Sequence, residues 1–247
     1  MNMVNISQKV SALINSALDI IFPIRCSLCE NNIEADGLCQ ECWKKINWIS
    51  DPRCSICGTP FDILVGNMCV TCVQRKPHFD EAISVCEYDD FSKDIIIKFK
   101  HHDSTHLTKY IAALMYAASK NIVDDAHVII PVPIHISKRI KRKYNQSELI
   151  AMEIARASGA AYEPRALKKH KKTLSQEDLP AKQRKTNVKG SFALDGKYED
   201  AIKDKKIILV DDVFTTGSTV NECSKILKRG RAKKVTVITF AKVISSN

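Results

Sequence analysis

The sequence predicts an α/β protein: a parallel sheet flanked by helices, preceded by a small cysteine-rich module of two zinc ribbons. Three observations carry this reading. Four Cys-x-x-Cys pairs crowd into the first third of the chain. Two apolar runs, within Ala126–Pro133 and at Ile207–Val210, lack polar alternation, the pattern of strands buried on both faces of a parallel sheet. Each is followed by a polar loop and then by apolar residues at helical spacing. The expected organisation is an N-terminal amphipathic helix over 1–25, a double zinc ribbon over 26–77 and the sheet domain over 78–247.

A chain of 247 residues has room for one ordinary α/β domain and a small module. It holds no run of eighteen apolar residues, so no membrane span is expected. Val10, Leu13, Ile14, Leu18 and Ile21 fall on one side of a helix interrupted by Asn15 and Asp19, unlike the apolar core of a signal peptide. A cytoplasmic location follows as the expectation. The net charge of +10 is clustered: five cations and no acid between Lys138 and Lys143, and four more with His170 between Lys168 and Lys172. Lys182, Arg184, Lys185 and Lys189 follow. Such clusters suit polyanions, either phosphorylated small molecules or nucleic acid, although a solvated basic face has the same composition.

Taken in order, the cysteine pairs are Cys26/Cys29, Cys39/Cys42, Cys54/Cys57 and Cys69/Cys72. A Cys-x-x-Cys knuckle places two thiolates on one side of a tight turn, and two knuckles complete a tetrahedral zinc site. Four pairs therefore imply two structural zinc ions. Disulfides fit poorly with a reducing compartment, and a redox motif would come singly before a helix. The ligands are expected to group sequentially, though spacing also permits interleaving. Cys86 and Cys223 fall in apolar patterns and read as core. Trp43 and Trp48 are expected to pack under the ribbons, with base stacking a secondary role.

Ala82–Tyr88 alternates as a strand, Phe91–Phe99 reads as a helix ending in the cations Lys98, Lys100, His101 and His102, and Leu107–Ala118 reads as an amphipathic helix. The strand at Ala126–Pro133 is stopped by two prolines. Beyond it lie His135, Lys138, Arg139, Arg142 and Lys143, then Tyr144-Asn145-Gln146 and a helix from Ser147. This sequence of elements puts cations at the carboxyl edge of a parallel sheet, where open α/β sheets bind ligands. Leu167–Phe192 is rich in Lys, Arg, Thr, Gln and Asn and reads largely as a mobile basic loop. Val235–Phe240 is the last strand.

The most informative stretch is Lys206–Val220. After the buried run come Asp211 and Asp212, then Thr215, Thr216, Gly217, Ser218 and Thr219, then helical spacing at Val220, Cys223, Ile226 and Leu227. The first amides of such a helix and its dipole favour a phosphate. The hydroxyls add donors, and the glycine lets the backbone close. The paired acids repel phosphate but accept hydrogen bonds from vicinal sugar hydroxyls, so a ribose 5-phosphate satisfies both halves. A helix cap alone needs one Asp or Thr. A Walker A loop would need Lys before the Ser/Thr.

This stretch resembles the phosphoribosyl-pyrophosphate (PRPP) motif of type I phosphoribosyltransferases. In that family the paired acids contact the ribose and the Thr-Thr-Gly-Ser-Thr loop holds the 5-phosphate. The chain as a whole resembles the ComF family of competence-associated proteins. The likeness rests on the paired Cys-x-x-Cys ribbons, Ile21-Phe22-Pro23, Ile97–Lys100, Pro131-Val132-Pro133 with Arg139 and Arg142, Asn145-Gln146, Thr173 with Gln176, Arg184 with Asn187 and Phe192, and the Asp211-Asp212 loop. Arg142-Lys143-Tyr144 stands where that family has Arg-Gly-Phe.

The resemblance implies a type I phosphoribosyltransferase-like sheet that binds PRPP with Mg²⁺ through Asp211, Asp212, Thr215, Thr216, Gly217, Ser218 and Thr219. It also implies a part in natural transformation, handling single-stranded DNA beside competence helicases or DNA-processing proteins. Lys138, Arg139, Arg142, Lys143 and Arg184 are the expected pyrophosphate or DNA contacts. Two other roles compete: an active phosphoribosyltransferase with an unidentified amine or base acceptor, and a zinc-stabilised interaction module with a silent pocket. The intact phosphate loop disfavours the last. No catalytic residue is identifiable.

Overall fold

The computed structural model describes residues 24–35, 37–61, 66–101, 105–135, 144–171 and 188–244. The helical stretch Val10–Ile21, the cations Lys138, Arg139, Arg142, Lys143 and Arg184, and the motif residues Thr173, Gln176 and Asn187 lie outside them.

The chain divides into two compact units between Lys45 and Ile46. In the first, Arg25 bridges Asn32 across a knuckle that turns at Glu30 (φ 62°), and helix α1 (Gln40–Lys44) starts from Cys39. The larger unit opens with the same device: Arg53 bridges Pro60, the turn falls at Gly58 (φ 68°), and α2 (Val70–Gln74) starts from Cys69. Trp43 of α1 is 43% exposed, contrary to the expected packing role. Trp48 is half-buried and bridges Cys86.

The rest of the larger unit comprises β1 (Glu81–Glu87), α3 (Asp90–His101), α4 (Thr105–Asp124), β2 (Val128–Pro131), α5 (Gln146–Ser158), β3 (Ala161–Tyr162), β4 (Leu167–Lys169), β5 (Phe192–Leu194), α6 (Glu199–Ile202), β6 (Lys206–Phe214), α7 (Ser218–Arg229) and β7 (Lys234–Lys242). Five strands form a parallel sheet in the order β1-β7-β6-β2-β3, while β4 and β5 pair separately and antiparallel. The outer edge of β1 is covered by its own chain: Ile49 N donates to Val85 O at 3.0 Å, and Glu87 N to Asn47 O at 2.8 Å. Covering an edge in this way denies its amides to other chains.

The unbroken apolar runs do become strands buried on both faces. Ile207 and Leu209 enter one core with Val128 and Ile130 of β2 and Val220, Cys223 and Leu227 of α7. Ile208 and Val210 are equally buried and by strand alternation face the other side. Helix α4 packs on β1 and β7 and against α5. Each such aliphatic side chain contributes about 1.5–3 kcal/mol on burial.

Three boundaries differ from expectation for identifiable reasons. Helix α4 continues past Ala118 to Asp124 through a kink at Ser119, whose Oγ donates to Met115 O at 2.6 Å, a back-bond that bends helices. Strand β6 runs on through Asp211 and Asp212 to Phe214, because β7 pairs with it as far as Lys242 although β2 ends at Pro131. The ends of the Leu167–Phe192 stretch form the β4–β5 hairpin, closed by His170 N donating to Ser191 O at 3.0 Å. Among the described residues no helix is long and apolar enough to cross a membrane.

Candidate functional site

From β2 the chain passes outward to β3, and from β6 it passes the other way to β7. The crevice between the carboxyl ends of β2 and β6 is therefore the topological switch point of the sheet, where ligands of open α/β folds bind. Pro131–His135 lead away from one side of it and Asp211–Thr219 line the other. Beyond Val210, β6 is no longer paired to β2, which leaves its acids at the open crevice.

Both carboxylates are fixed. Asp211 Oδ1 accepts from Ser147 Oγ at 2.9 Å and from Asp212 N at 3.1 Å, and Asp212 Oδ1 accepts from Val213 N at 2.8 Å. Ser147 sits in the first turn of α5. Its helix is capped by Asn145, whose side-chain oxygen accepts from Ser147 N at 3.2 Å while its amide donates to Val132 O at 3.1 Å. Asn145 thus ties the end of β2 to α5, and Ser147 ties α5 to β6. Gln146, between them, is buried, and its Nε2 has no partner among the described residues. Neither Ser147 nor its link to Asp211 was foreseen; the N-cap pattern Asn145-x-Ser147 was the available signal.

The loop closes at Gly217 (φ 69°, ψ 3°), the N-cap of α7. A glycine cap brings no side-chain acceptor, and α7 has no acid in its first turn, so the positive end of its dipole meets the loop without a competing carboxylate. Thr216 Oγ1 and Ser218 Oγ lie 2.8 Å apart, giving paired hydroxyls beside that helix start. A Cβ at Gly217 would stand 2.5 Å from Cζ of Phe214. Gly217→Ala is expected to cost about 1–3 kcal/mol through strained backbone and a displaced ring, read as a lower urea midpoint. An unchanged midpoint would mean that the ring yields freely.

The cysteines gather as two sets, Cys26/Cys29/Cys39/Cys42 and Cys54/Cys57/Cys69/Cys72, with the sulfurs of each set within 4.8 Å of one another. Cys29 and Cys39 sulfurs are 3.5 Å apart, Cys57 and Cys69 sulfurs 3.6 Å. A zinc tetrahedron with Zn–S of about 2.3 Å has edges of about 3.8 Å, so both sets fit that ion. Backbone amides point at the sulfurs: Cys39 N to Cys26 Sγ and Cys69 N to Cys54 Sγ, both at 3.3 Å.

Burial raises the Cys26 thiol, but the amides of Cys29, Cys39 and Leu28 outweigh it and bring it to about 6. Cys54 is likewise brought to about 7 by the amides of Cys57, Cys69 and Ile56 against burial. Cys42 and Cys72 move upward, through burial first and then the neighbouring cysteines. Each set thus ionises one thiol readily and resists ionising all four until a cation joins them. Two zinc ions are the natural occupants. Cys86 and Cys223 are buried apart from both sets.

Residues 17–83 match the double zinc ribbon domain, and residues 141–247 match the phosphoribosyl transferase domain. The chain is 30% identical to Competence protein F of Haemophilus influenzae, over 90% of this chain and 98% of that one. It is 22% identical to Competence protein ComFC of Bacillus subtilis, over 92% and 98% respectively. Among solved structures it is similar to a purine phosphoribosyltransferase from Pyrococcus horikoshii, at 18% identity over 53% of this chain and 73% of that one, with a TM-score of 0.35. At 30% identity over nearly the whole of both chains, with a double zinc ribbon match preceding a phosphoribosyl transferase match, the chain belongs to the ComF family of competence-associated proteins.

Proposed function

We propose that this protein binds PRPP with Mg²⁺ at the crevice between β2 and β6 and single-stranded DNA through its basic loops, acting in natural transformation beside a competence helicase or DNA-processing proteins. The observation that carries the reading is the union, at the switch point, of two pinned carboxylates with a glycine-capped helix start bearing hydroxyls. In it, Asp211 and Asp212 take the ribose hydroxyls, and Thr215, Thr216, Gly217, Ser218 and Thr219 take the 5-phosphate. Mg²⁺ would accompany the pyrophosphate and offset its charge.

Lys138, Arg139, Arg142, Lys143 and Arg184 would meet pyrophosphate or the DNA backbone, both polyanions that such clusters attract. The names of the relatives, which speak of competence, support a DNA-handling role over a biosynthetic one.

The test is anisotropy of a fluorescent single strand at several salt concentrations, with and without PRPP and Mg²⁺. Binding should weaken steeply with salt. The variant Arg139→Ala/Arg142→Ala/Lys143→Ala should lower the log–log slope by about 2, at roughly 0.7 per phosphate contact on single strands. An unaltered slope moves the DNA surface elsewhere. PRPP binding with no DNA binding at any salt would instead favour a phosphoribosyltransferase and call for an acceptor screen.

A further inference from the structure

Lys242, the last residue of β7, is 3% exposed, and no carboxylate pairs with it among the described residues. A buried ammonium needs a compensating anion. Its Nζ stands 3.7 Å from the centroid of the Phe214 ring, a π-face contact that supplies only part of that compensation. That ring shares one core with Cys54, Cys57 and Cys72, and Cys69 packs against it, so negative charge on these cysteines opposes the effect of burial, which lowers the Lys242 pKa. Four thiolates around one Zn²⁺ leave a net double negative charge, and in this ribbon that charge lies in the core of the larger unit.

The ring under Lys242 adjoins the phosphate loop, at the end of β6. Phe214 precedes Thr215 and is held edge-on by Phe79, with centroids 6.0 Å apart and an interplanar angle of 86°. Its other neighbour is Gly217, where even a methyl group would collide with Cζ. Phe79 follows the ribbon directly, and the preceding His78 N donates to Asn221 Oδ1 of α7 at 2.7 Å. On the other side of the ribbon, Ala82 N of β1 donates to Ile56 O at 2.7 Å. Gly58 lies so close that a Cβ there would be 2.5 Å from Ala82 O. The second ribbon is thus bonded to the sheet at its knuckle and to the phosphate-loop helix at its exit.

We propose that Lys242 is the counter-charge of the zinc–thiolate cluster at Cys54, Cys57, Cys69 and Cys72, and a positioning residue through which occupancy of that cluster sets the phosphate loop. The route runs from the cluster to Lys242, from its ammonium to the Phe214 ring, and from the ring to the turn at Gly217. This deepens the PRPP reading of that loop and rests on it. The first ribbon, in its own compact unit, supplies an internal control.

The test uses the full zinc-loaded chain and the variants Lys242→Met and Lys242→Arg. Zinc release to a colorimetric chelator, the thiolate–Co²⁺ charge-transfer band of the cobalt form, and PRPP–Mg²⁺ affinity by calorimetry are read on each. Lys242→Met should accelerate release of one of the two ions about tenfold, as loss of an outer-sphere partner does. It should shift the band and weaken PRPP about fivefold or more, a typical coupling between sites. Lys242→Arg should restore all three.

Wild-type release kinetics in Lys242→Met, or undiminished PRPP affinity with zinc released faster, overturns the proposal. Should Lys242→Met not fold, Phe214→Leu decides the second half. It should keep wild-type zinc release yet weaken PRPP, and unchanged affinity overturns the relay. If the wild-type chain itself binds no PRPP, the pocket reading fails, while the release kinetics still judge Lys242 as counter-charge.

Discussion

Replacing Asp211 and Asp212 together by alanine is expected to weaken PRPP binding by about 100-fold or more, with zinc content and fold retained. The two acids stand where β6 has outrun β2, and each has an oxygen fixed by the protein: Asp211 by Ser147 and the Asp212 amide, Asp212 by the Val213 amide. A ligand hydroxyl therefore meets carboxylates whose planes are already set. Hydrogen bonds to charged groups are worth about 1.5–3 kcal/mol each, so two of them make about 3–6 kcal/mol, or two to four decades in affinity. Removing negative charge beside a phosphate works in the opposite direction, which is why the lower end is the expectation. Calorimetry with Mg²⁺ measures the loss. Asp211→Asn/Asp212→Asn, which keeps the shape and removes the charge, separates acceptor chemistry from packing. A dissociation constant within threefold of wild type in the alanine variant would refute the assignment of these acids to the ribose.

What was legible in the sequence were patterns that one residue type enforces by itself. Ile207–Val210 could only be a strand covered on both sides, and it is. The Cys-x-x-Cys ladder announced two four-sulfur sites, and the sulfurs gather so. Long-range consequences were not legible. Nothing in the spacing says that Ser147 would reach Asp211 across sixty-four residues. Nor does Lys242, a break in an apolar last strand, announce that it lies on Phe214. The two knuckles read alike, Cys-Ser-Leu-Cys-Glu and Cys-Ser-Ile-Cys-Gly. The glycine marks a difference that only the fold explains: Glu30 and Gly58 share the left-handed turn, but Gly58 abuts Ala82 O. The paired acids were expected past the end of their strand, because propensity does not show that β7 outlasts β2 as a partner.

That difference between knuckles gives the two zinc sites unequal weight, and ligand removal should expose it. Cys57→Ser is expected to lower the melting temperature of the larger unit by about 10 °C or more. Cys29→Ser should leave that transition within about 2 °C and abolish order only in its own unit. Cys54, Cys57 and Cys72 belong to the core that holds Phe79, Leu209, Phe214, Val220 and Leu227, whereas Cys29 is exposed. Structural zinc contributes about 10–16 kcal/mol in small ribbons, comparable to the entire stability of a domain. Even a third of that, removed from a unit of this size, moves a melting point by about 10 °C at 2–4 °C per kcal/mol. Circular dichroism melts joined to limited proteolysis tell the variants apart. Cys29→Ser should yield a protease-resistant fragment beginning near Ile46, and Cys57→Ser should yield none. Equal melting losses in both variants would mean that the ribbons share one cooperative unit, and the boundary at Lys45 would then separate contacts without separating stability.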